Sequence, residues 1–168
     1  MAQEVTIAHE SLSTAVARRL VDALDAELLG RYPDEGDGFF NLVEDDVAEG
    51  KGAFLVAWWL GVAVGCGAIR TLDIHAVEVK RMYVTPEARG FGVGSAMLRA
   101  LEREAKALGR SRICLETGTR QPEAIALYRR HGYLDVPRFG DYPDSPLSLW
   151  LGKTLACEST LDASRNQT

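Results

Sequence analysis

The sequence is poor in the residues that hold metals and disulfide frameworks. Its 168 residues include only three histidines and three cysteines, and neither type shows the paired spacing of a metal site. Cys66 and Cys114 lie in apolar, strand-like runs, where a cysteine is most often a buried and inert thiol. The sequence therefore predicts no bound metal and no disulfide scaffold.

Excess positive charge and long apolar runs are also missing. A net charge of −5 at pH 7 argues against nucleic acid or an anionic membrane as the main partner. No apolar run approaches the length needed to span a bilayer, and the N-terminus lacks the basic-then-apolar layout of a signal peptide. We expect a cytoplasmic protein with reduced thiols, consisting of one domain over residues 1–155 and a polar, disordered tail over residues 156–168.

What the sequence does contain is an alternation of apolar strand and helix patterns. A first helix, capped by Ser11 or Ser13, is predicted to run to Leu29 and to stop at Gly30. Two apolar runs that meet near Gly61 predict an antiparallel hairpin. The other predicted elements are strands at 4–8, 77–84, 112–117, 133–136 and 147–151, and helices at 95–108 and from Pro122 to before Gly132. This order predicts an α/β fold with a mostly antiparallel sheet.

A glycine-rich stretch, Arg89–Gly94, lies between the predicted strand 77–84 and a helix. The unpaired N–H groups and the dipole of a helix N-terminus favour an anion, and glycines let the backbone approach it closely. The stretch lacks the Gly-Lys-Ser/Thr end of a Walker A loop, and Ser95 stands where a dinucleotide fingerprint has its third glycine. The loop is therefore expected to bind a phosphate of another kind, and an ordinary glycine-rich turn is the alternative.

Three blocks of sequence carry a resemblance to a known family. They are Glu78–Val84, Arg89–Gly94, and Ala124–Tyr128 followed by Gly132-Tyr133. In order and spacing they resemble the motifs of the GNAT N-acetyltransferases. The resemblance implies the GNAT fold, a mixed, mostly antiparallel seven-stranded sheet with splayed central strands flanked by helices, and acetyl-CoA as cosubstrate. It implies a coenzyme site formed by Met82, Tyr83, Val84, Arg89, Gly90, Phe91, Gly92, Val93, Gly94, Ser95 and Gln121. Many relatives have Asn at the last of these positions.

The resemblance also implies two catalytic residues. Tyr128 stands where the family usually places the tyrosine that protonates the departing thiolate, and the alternative is an aromatic residue that only packs. Glu78 corresponds to the glutamate that acts as general base in some members, directly or through water. A carboxylate in an apolar strand fits that role because desolvation raises its pKa, but an ion pair with Lys80 or Arg81 is an equally good explanation. Glu116 is the second candidate base.

The acceptor site is implied to lie in the first helix, its following loop and the loop between the last two strands. Its candidate residues are Tyr32, Phe39, Glu116, Phe139 and Tyr142. An acidic and aromatic rim of this kind favours a small cationic amine. We therefore expect an N-acetyltransferase that acts on a small-molecule amine as a monomer or homodimer. A protein or peptide acetyltransferase and a non-catalytic acetyl-CoA sensor are the alternatives.

Overall fold

Residues 4–35 and 42–156 are described by a computed structural model. The strands are β1 (Thr6–His9), β2 (Gly52–Trp59), β3 (Val62–Thr71), β4 (Ala76–Val84), β5 (Arg112–Gly118), β6 (Leu134–Asp135) and β7 (Ser148–Thr154). They form one seven-stranded sheet in the order β1-β2-β3-β4-β5-β7-β6. Neighbouring strands are antiparallel except β4 and β5, which are parallel. The predicted hairpin is confirmed as the β2–β3 pair.

Three helices connect and cover the sheet. They are α1 (Ala15–Arg31), α2 (Val93–Ala107) and α3 (Pro122–Arg130), with short 3-10 helices at Glu44–Val47 and Pro86–Ala88. The apolar stripe of α2, which includes Met97, Leu98 and Leu101, packs on one face of the sheet together with Tyr128 and Tyr133. Leu20 and Leu24 of α1 pack on the other face. The mixed α/β architecture expected from the sequence is thus confirmed, with one apolar core on each side of the sheet.

The first helix differs from its prediction at both ends. Thr14 is its N-cap, with the side-chain oxygen accepting a hydrogen bond from the N–H of Ala17, so neither Ser11 nor Ser13 caps it. The helix also continues through Gly30 to Arg31. Arg31 pairs with Glu123, and its carbonyl accepts a hydrogen bond from Arg120. These tertiary contacts help to offset the cost of a glycine within a helix, which is about 1 kcal/mol.

Candidate active site

The central strands separate halfway along their length. β4 pairs with β5 only from Ala76–Arg112 to Val79–Leu115, so the remainder of each strand has no partner on that side. On its other side β4 skips a step: Tyr83 pairs with Cys66 and Lys80 with Ala68. Two residues of β4 therefore stand opposite one residue of β3, which is a β-bulge. Beyond Val79, β4 is thus left without a strand partner on the side of the gap.

The bulge is built on an unusual backbone conformation. Arg81 has a φ of 56°, a left-handed value that costs energy for a non-glycine residue. Its guanidinium lies 2.5 Å from the Asp25 carboxylate of α1, and its carbonyl accepts a hydrogen bond from Cys66 at 3.2 Å. These contacts hold the strained residue in place. Nothing in the sequence distinguishes Arg81 as the left-handed residue.

A cavity of about 400 Å³ opens where β4 and β5 separate. Leu24 and Leu28 of α1 form an apolar part of its wall. Its polar and aromatic lining includes Tyr32, Lys80, Glu116, Tyr128 and Tyr142, and Met82 adds an apolar side chain. Volume and lining are those of a site for a small organic molecule.

Next to the gap, the glycine loop has the geometry of an anion site. Gly90 and Gly92 have φ values of 85° and 81°, and no atom lies within 4 Å of the place where a Cβ would stand. Gly92 is the N-cap of α2 and supplies no side-chain cap. The first backbone hydrogen bond of the helix is donated by Ala96 to the Gly92 carbonyl, so the N–H groups of Val93–Ser95 remain available for an anion. The loop fits a pyrophosphate group.

Several predicted coenzyme residues have contacts within the protein. Arg89 donates to Glu27 of α1 at 2.7 Å and to the Val84 carbonyl at 3.0 Å. Ser95 Oγ lies 3.0 Å from His131 Nε2. Arg89 and Ser95 therefore tie the loop and the start of α2 to neighbouring elements.

The other predicted coenzyme residues surround the same region. Phe91 is exposed and packs against Trp59 in a tilted arrangement, with 4.9 Å between the ring centroids. A Cβ on Gly94 would lie 3.0 Å from the Leu127 side chain, so this glycine permits close packing of α2 on α3. Gln121 is the N-cap of α3 and lines the cavity.

Tyr128 lies on α3 with its side chain in the cavity wall. The residue is 5% exposed. Burial and the nearby charge of Glu116 raise the pKa of its hydroxyl above the ordinary value. The hydroxyl therefore stays protonated across the neutral pH range and is available as a proton donor.

Glu78 occupies a different place from the one expected of a base that touches substrate. It is 0% exposed and is absent from the cavity lining. Its Oε2 accepts a hydrogen bond from Arg70, the residue opposite it on β3, at 3.0 Å, and its Oε1 accepts one from Tyr142. Glu78 thus pairs with Arg70 on the neighbouring strand β3, and not with Lys80 or Arg81 on its own strand. Through Tyr142, Glu78 supports a residue that does line the cavity.

Glu116 and Lys80 face the cavity from the two separating strands. Val79 of β4 and Leu115 of β5 are the last residues that pair between the two strands; Lys80 follows the first and Glu116 the second. Residues at equal positions in a parallel pair point to the same face. Burial raises the pKa of Glu116, while Ser148 and Lys80 partly offset that effect. Burial also lowers the pKa of Lys80. The presence of Lys80 in the site was not predicted, although charges on a central strand were a sign of it.

The acceptor residues proposed from the sequence fall into three groups. Tyr32, Glu116 and Tyr142 line the cavity. Phe139 is not part of that lining but packs edge-on against Tyr142, with 6.1 Å between the ring centroids. Phe39 lies outside the described residues.

The position of Tyr32 depends on a neighbouring glycine. A Cβ on Gly118 would lie 1.8 Å from the Tyr32 hydroxyl, and that hydroxyl accepts a hydrogen bond from the N–H of Arg120 at 2.9 Å. The end of α1 therefore joins the β5–α3 loop.

The thiols and surface features give little sign of other chemistry. Cys66 and Cys114 are buried and free, and burial raises the pKa of each thiol to about 12. Neither is therefore a ready nucleophile. Over residues 4–35 and 42–156, no cluster of three or more His, Cys, Asp or Glu residues is placed to hold a metal ion. No helix in the same ranges is long and apolar enough to cross a membrane.

Comparison with known proteins identifies relatives over nearly the whole chain. The "IAA acetyltransferase" of Azospirillum brasilense is 43% identical over 153 residues, which are 90% of this chain and 98% of the relative. A solved structure of a candidate acyl-CoA N-acyltransferase from Klebsiella pneumoniae subsp. pneumoniae MGH 78578 is 33% identical, with a TM-score of 0.77, and covers 90% of this chain and 98% of its own.

A third similar protein is a GNAT family acetyltransferase from Elizabethkingia anophelis, whose structure has acetyl-CoA bound. It has a TM-score of 0.64 at 19% identity and covers 90% of this chain and 98% of its own, so it supports the fold. The sequence model of the family described as "Acetyltransferase (GNAT) family" matches residues 17–133. With the splayed strands, the β4 bulge and the glycine loop in place, the chain belongs to the GNAT family of acetyltransferases.

Proposed function

We propose that this acetyltransferase moves the acetyl group of acetyl-CoA directly to a primary amine of a small molecule, with both substrates bound together. The observation that carries the proposal is that Tyr128 and Glu116 face one cavity at the point where β4 and β5 separate. A cavity of about 400 Å³ suits a small ligand better than an extended peptide.

The coenzyme is assigned to the glycine loop and the open side of β4. The pyrophosphate would be held by the N–H groups at the start of α2, where Gly90 and Gly92 leave space. The backbone of Met82–Val84, which lies beyond the paired part of β4 and β5, would hold the pantetheine arm and the acetyl carbonyl, as the family resemblance implies. The thioester would then point into the cavity, and acetyl-CoA supplies the acetyl group to be transferred.

Glu116 is proposed as the general base. A free alkyl ammonium has a pKa of roughly 10, so the acceptor must lose a proton before its nitrogen attacks the thioester carbon. Glu116 lines the cavity, and burial raises its pKa, which makes it a better proton acceptor than an exposed glutamate. Glu78 remains a predicted base only through an intermediary, because Tyr142 stands between it and the cavity.

Tyr128 is proposed as the general acid. As the C–N bond forms and the C–S bond breaks, its hydroxyl gives a proton to the departing sulfur. Glu116 releases the first amine proton to water and, after the attack, takes the second proton from the nitrogen. That second proton replaces the one that Tyr128 gave to the sulfur, so one proton in total is released to water. The residues thus end the cycle in the protonation states in which they began.

The proposal is tested with an acceptor screen that follows CoA release and detects the N-acetyl product by mass spectrometry. The panel contains amino acids, polyamines, aromatic amines, aminoglycosides and lysine-containing peptides. We expect transfer to free small amines and none to peptides. Transfer to peptides alone would contradict the small-molecule assignment, and binding of acetyl-CoA without transfer to any amine would contradict the enzymatic one.

A further inference from the structure

The cavity contains a cation that the proposed transfer reaction does not use. Lys80 lines the cavity beside the bulge of β4. Among the described residues, no carboxylate oxygen lies within 4.0 Å of its ammonium group. Its Nζ makes a cation–π contact with the ring of Tyr142, at 5.2 Å from the ring centroid.

The other charges around Lys80 do not remove the need for an anion. Glu78 is engaged by Arg70 and Tyr142 beneath the cavity. Arg81, the other cation in the lining, is paired with Asp25. Glu35 also lines the cavity, but its oxygens are not within ion-pairing distance of Lys80. A partly buried ammonium is unfavourable unless something compensates it. Burial lowers the pKa of Lys80, and the charges of Glu78 and Glu116 only partly offset that effect.

The two charges that face the cavity are also separated from one another. Glu116 on β5 and Lys80 on β4 stand on either side of the gap, near enough to affect each other's pKa but without an ion pair within 4.0 Å. A molecule between them would meet a carboxylate on one side and an ammonium on the other. Leu24 and Leu28 supply an apolar surface along the α1 side.

We propose that the acceptor is an amino acid, or an equally small amine that carries a carboxylate, and that Lys80 binds its carboxylate while Glu116 faces its amino group. This inference rests on the proposed function, because it assigns the acceptor of that same reaction. It replaces the cationic amine favoured by the acidic residues of the sequence. The apolar wall favours acceptors with an apolar side chain.

The first experiment tests the proposed carboxylate contact with acceptors that differ only at the carboxylate. Each of the standard amino acids is tested against its carboxamide and its decarboxylated amine, for example leucine, leucinamide and isoamylamine. We expect kcat/KM to be at least about tenfold higher for the acid, because a charge-assisted hydrogen bond is lost with the carboxylate.

The role of Lys80 in carboxylate binding is tested with Lys80→Met. Lys80→Gln serves as a second variant should the first not fold. For the acid, KM should rise by roughly 10- to 100-fold, and for the carboxamide by less than about threefold. Lys80→Arg should restore much of the preference because it keeps the charge. Lys106→Met, the same change at an exposed position on α2, should leave both acceptors unchanged. Calorimetry should give the same acetyl-CoA affinity for all folded variants.

The outcomes separate the two proposals. Transfer to amines with equal kcat/KM for acid and carboxamide, or an equal loss for both in Lys80→Met, overturns the assignment of Lys80 and leaves the proposed function intact. Absence of transfer from acetyl-CoA to any amine overturns both.

Discussion

Glu78 and Glu116 give the sharpest test, because replacing each glutamate by glutamine should have opposite effects. Glu78→Gln keeps the shape of a fully buried side chain and removes the charge that Arg70 pairs with. Breaking a fully buried pair typically costs about 3–5 kcal/mol. The Arg70 side chain is 28% exposed, so water can partly compensate it, and we expect a loss of roughly 1.5–3 kcal/mol.

The measurement is the free energy of unfolding from urea titrations, with thermal unfolding as a second readout. For a chain of this size, 1 kcal/mol corresponds to roughly 2–4 °C, so Tm should fall by roughly 3–12 °C. The control is Glu123→Gln, which makes the same change in a half-exposed pair with Arg31. Its effect should stay below about 1 kcal/mol.

Glu116→Gln should show the reverse behaviour. We expect near-parental stability and a kcat that falls by about 10²–10⁴-fold, which is the usual contribution of general acid–base catalysis. The reasoning is refuted if Glu78→Gln is as stable as the parent protein and loses kcat to that extent, while Glu116→Gln stays active. Glu78 would then be the chemical base, with Tyr142 as its relay.

Three further predictions concern the acid, the loop and the pH dependence. Tyr128→Phe should lower kcat by about 10²–10⁴-fold at unchanged acetyl-CoA affinity; near-parental kcat with chemistry rate-limiting would make the tyrosine a packing residue. Gly92→Ala should weaken acetyl-CoA binding at least tenfold, as measured by calorimetry. Gly61→Ala, at a similar φ of 75° in the β2–β3 turn, should leave the affinity unchanged. If both variants bind acetyl-CoA as tightly as the parent protein, the loop is only a turn. Because burial raises the Glu116 pKa above 4.5, activity should fall as the pH falls through that raised value. Lys80 lowers the Glu116 pKa, so Lys80→Met should move this acidic limb of the pH–activity profile to higher pH. An acidic limb that does not move would show that another group titrates.

The features that the sequence predicted well are local ones. The Arg89–Gly94 loop joins a strand to an amphipathic helix, and its place follows from the alternate glycines and the helix start that comes after them. The β2–β3 hairpin likewise follows from adjacent apolar runs about Gly61. In both cases the residues that determine the structure are neighbours in the chain.

The features that were missed depend on contacts between distant segments. The bulge at Arg81 is held by Asp25, 56 residues away in the chain, and the partner of Glu78 was misjudged because Arg70 lies across the sheet rather than along the strand. Lys80 and Glu116 face the same cavity only because β4 and β5 are parallel and then separate. Alternation along one strand indicates which side chains share a face, but the register of neighbouring strands decides what they face.

The position of α1 has a consequence for how the two substrates influence each other. On this helix, Asp25 pairs with Arg81 at the bulge of β4, and Glu27 pairs with Arg89 at the glycine loop. Leu24 and Leu28 of the same helix line the cavity proposed for the acceptor. One helix therefore borders both proposed binding sites. A displacement of α1 by either substrate would change the other site, and such coupling is thermodynamically reciprocal: the factor by which the coenzyme raises acceptor affinity is the factor by which the acceptor raises coenzyme affinity.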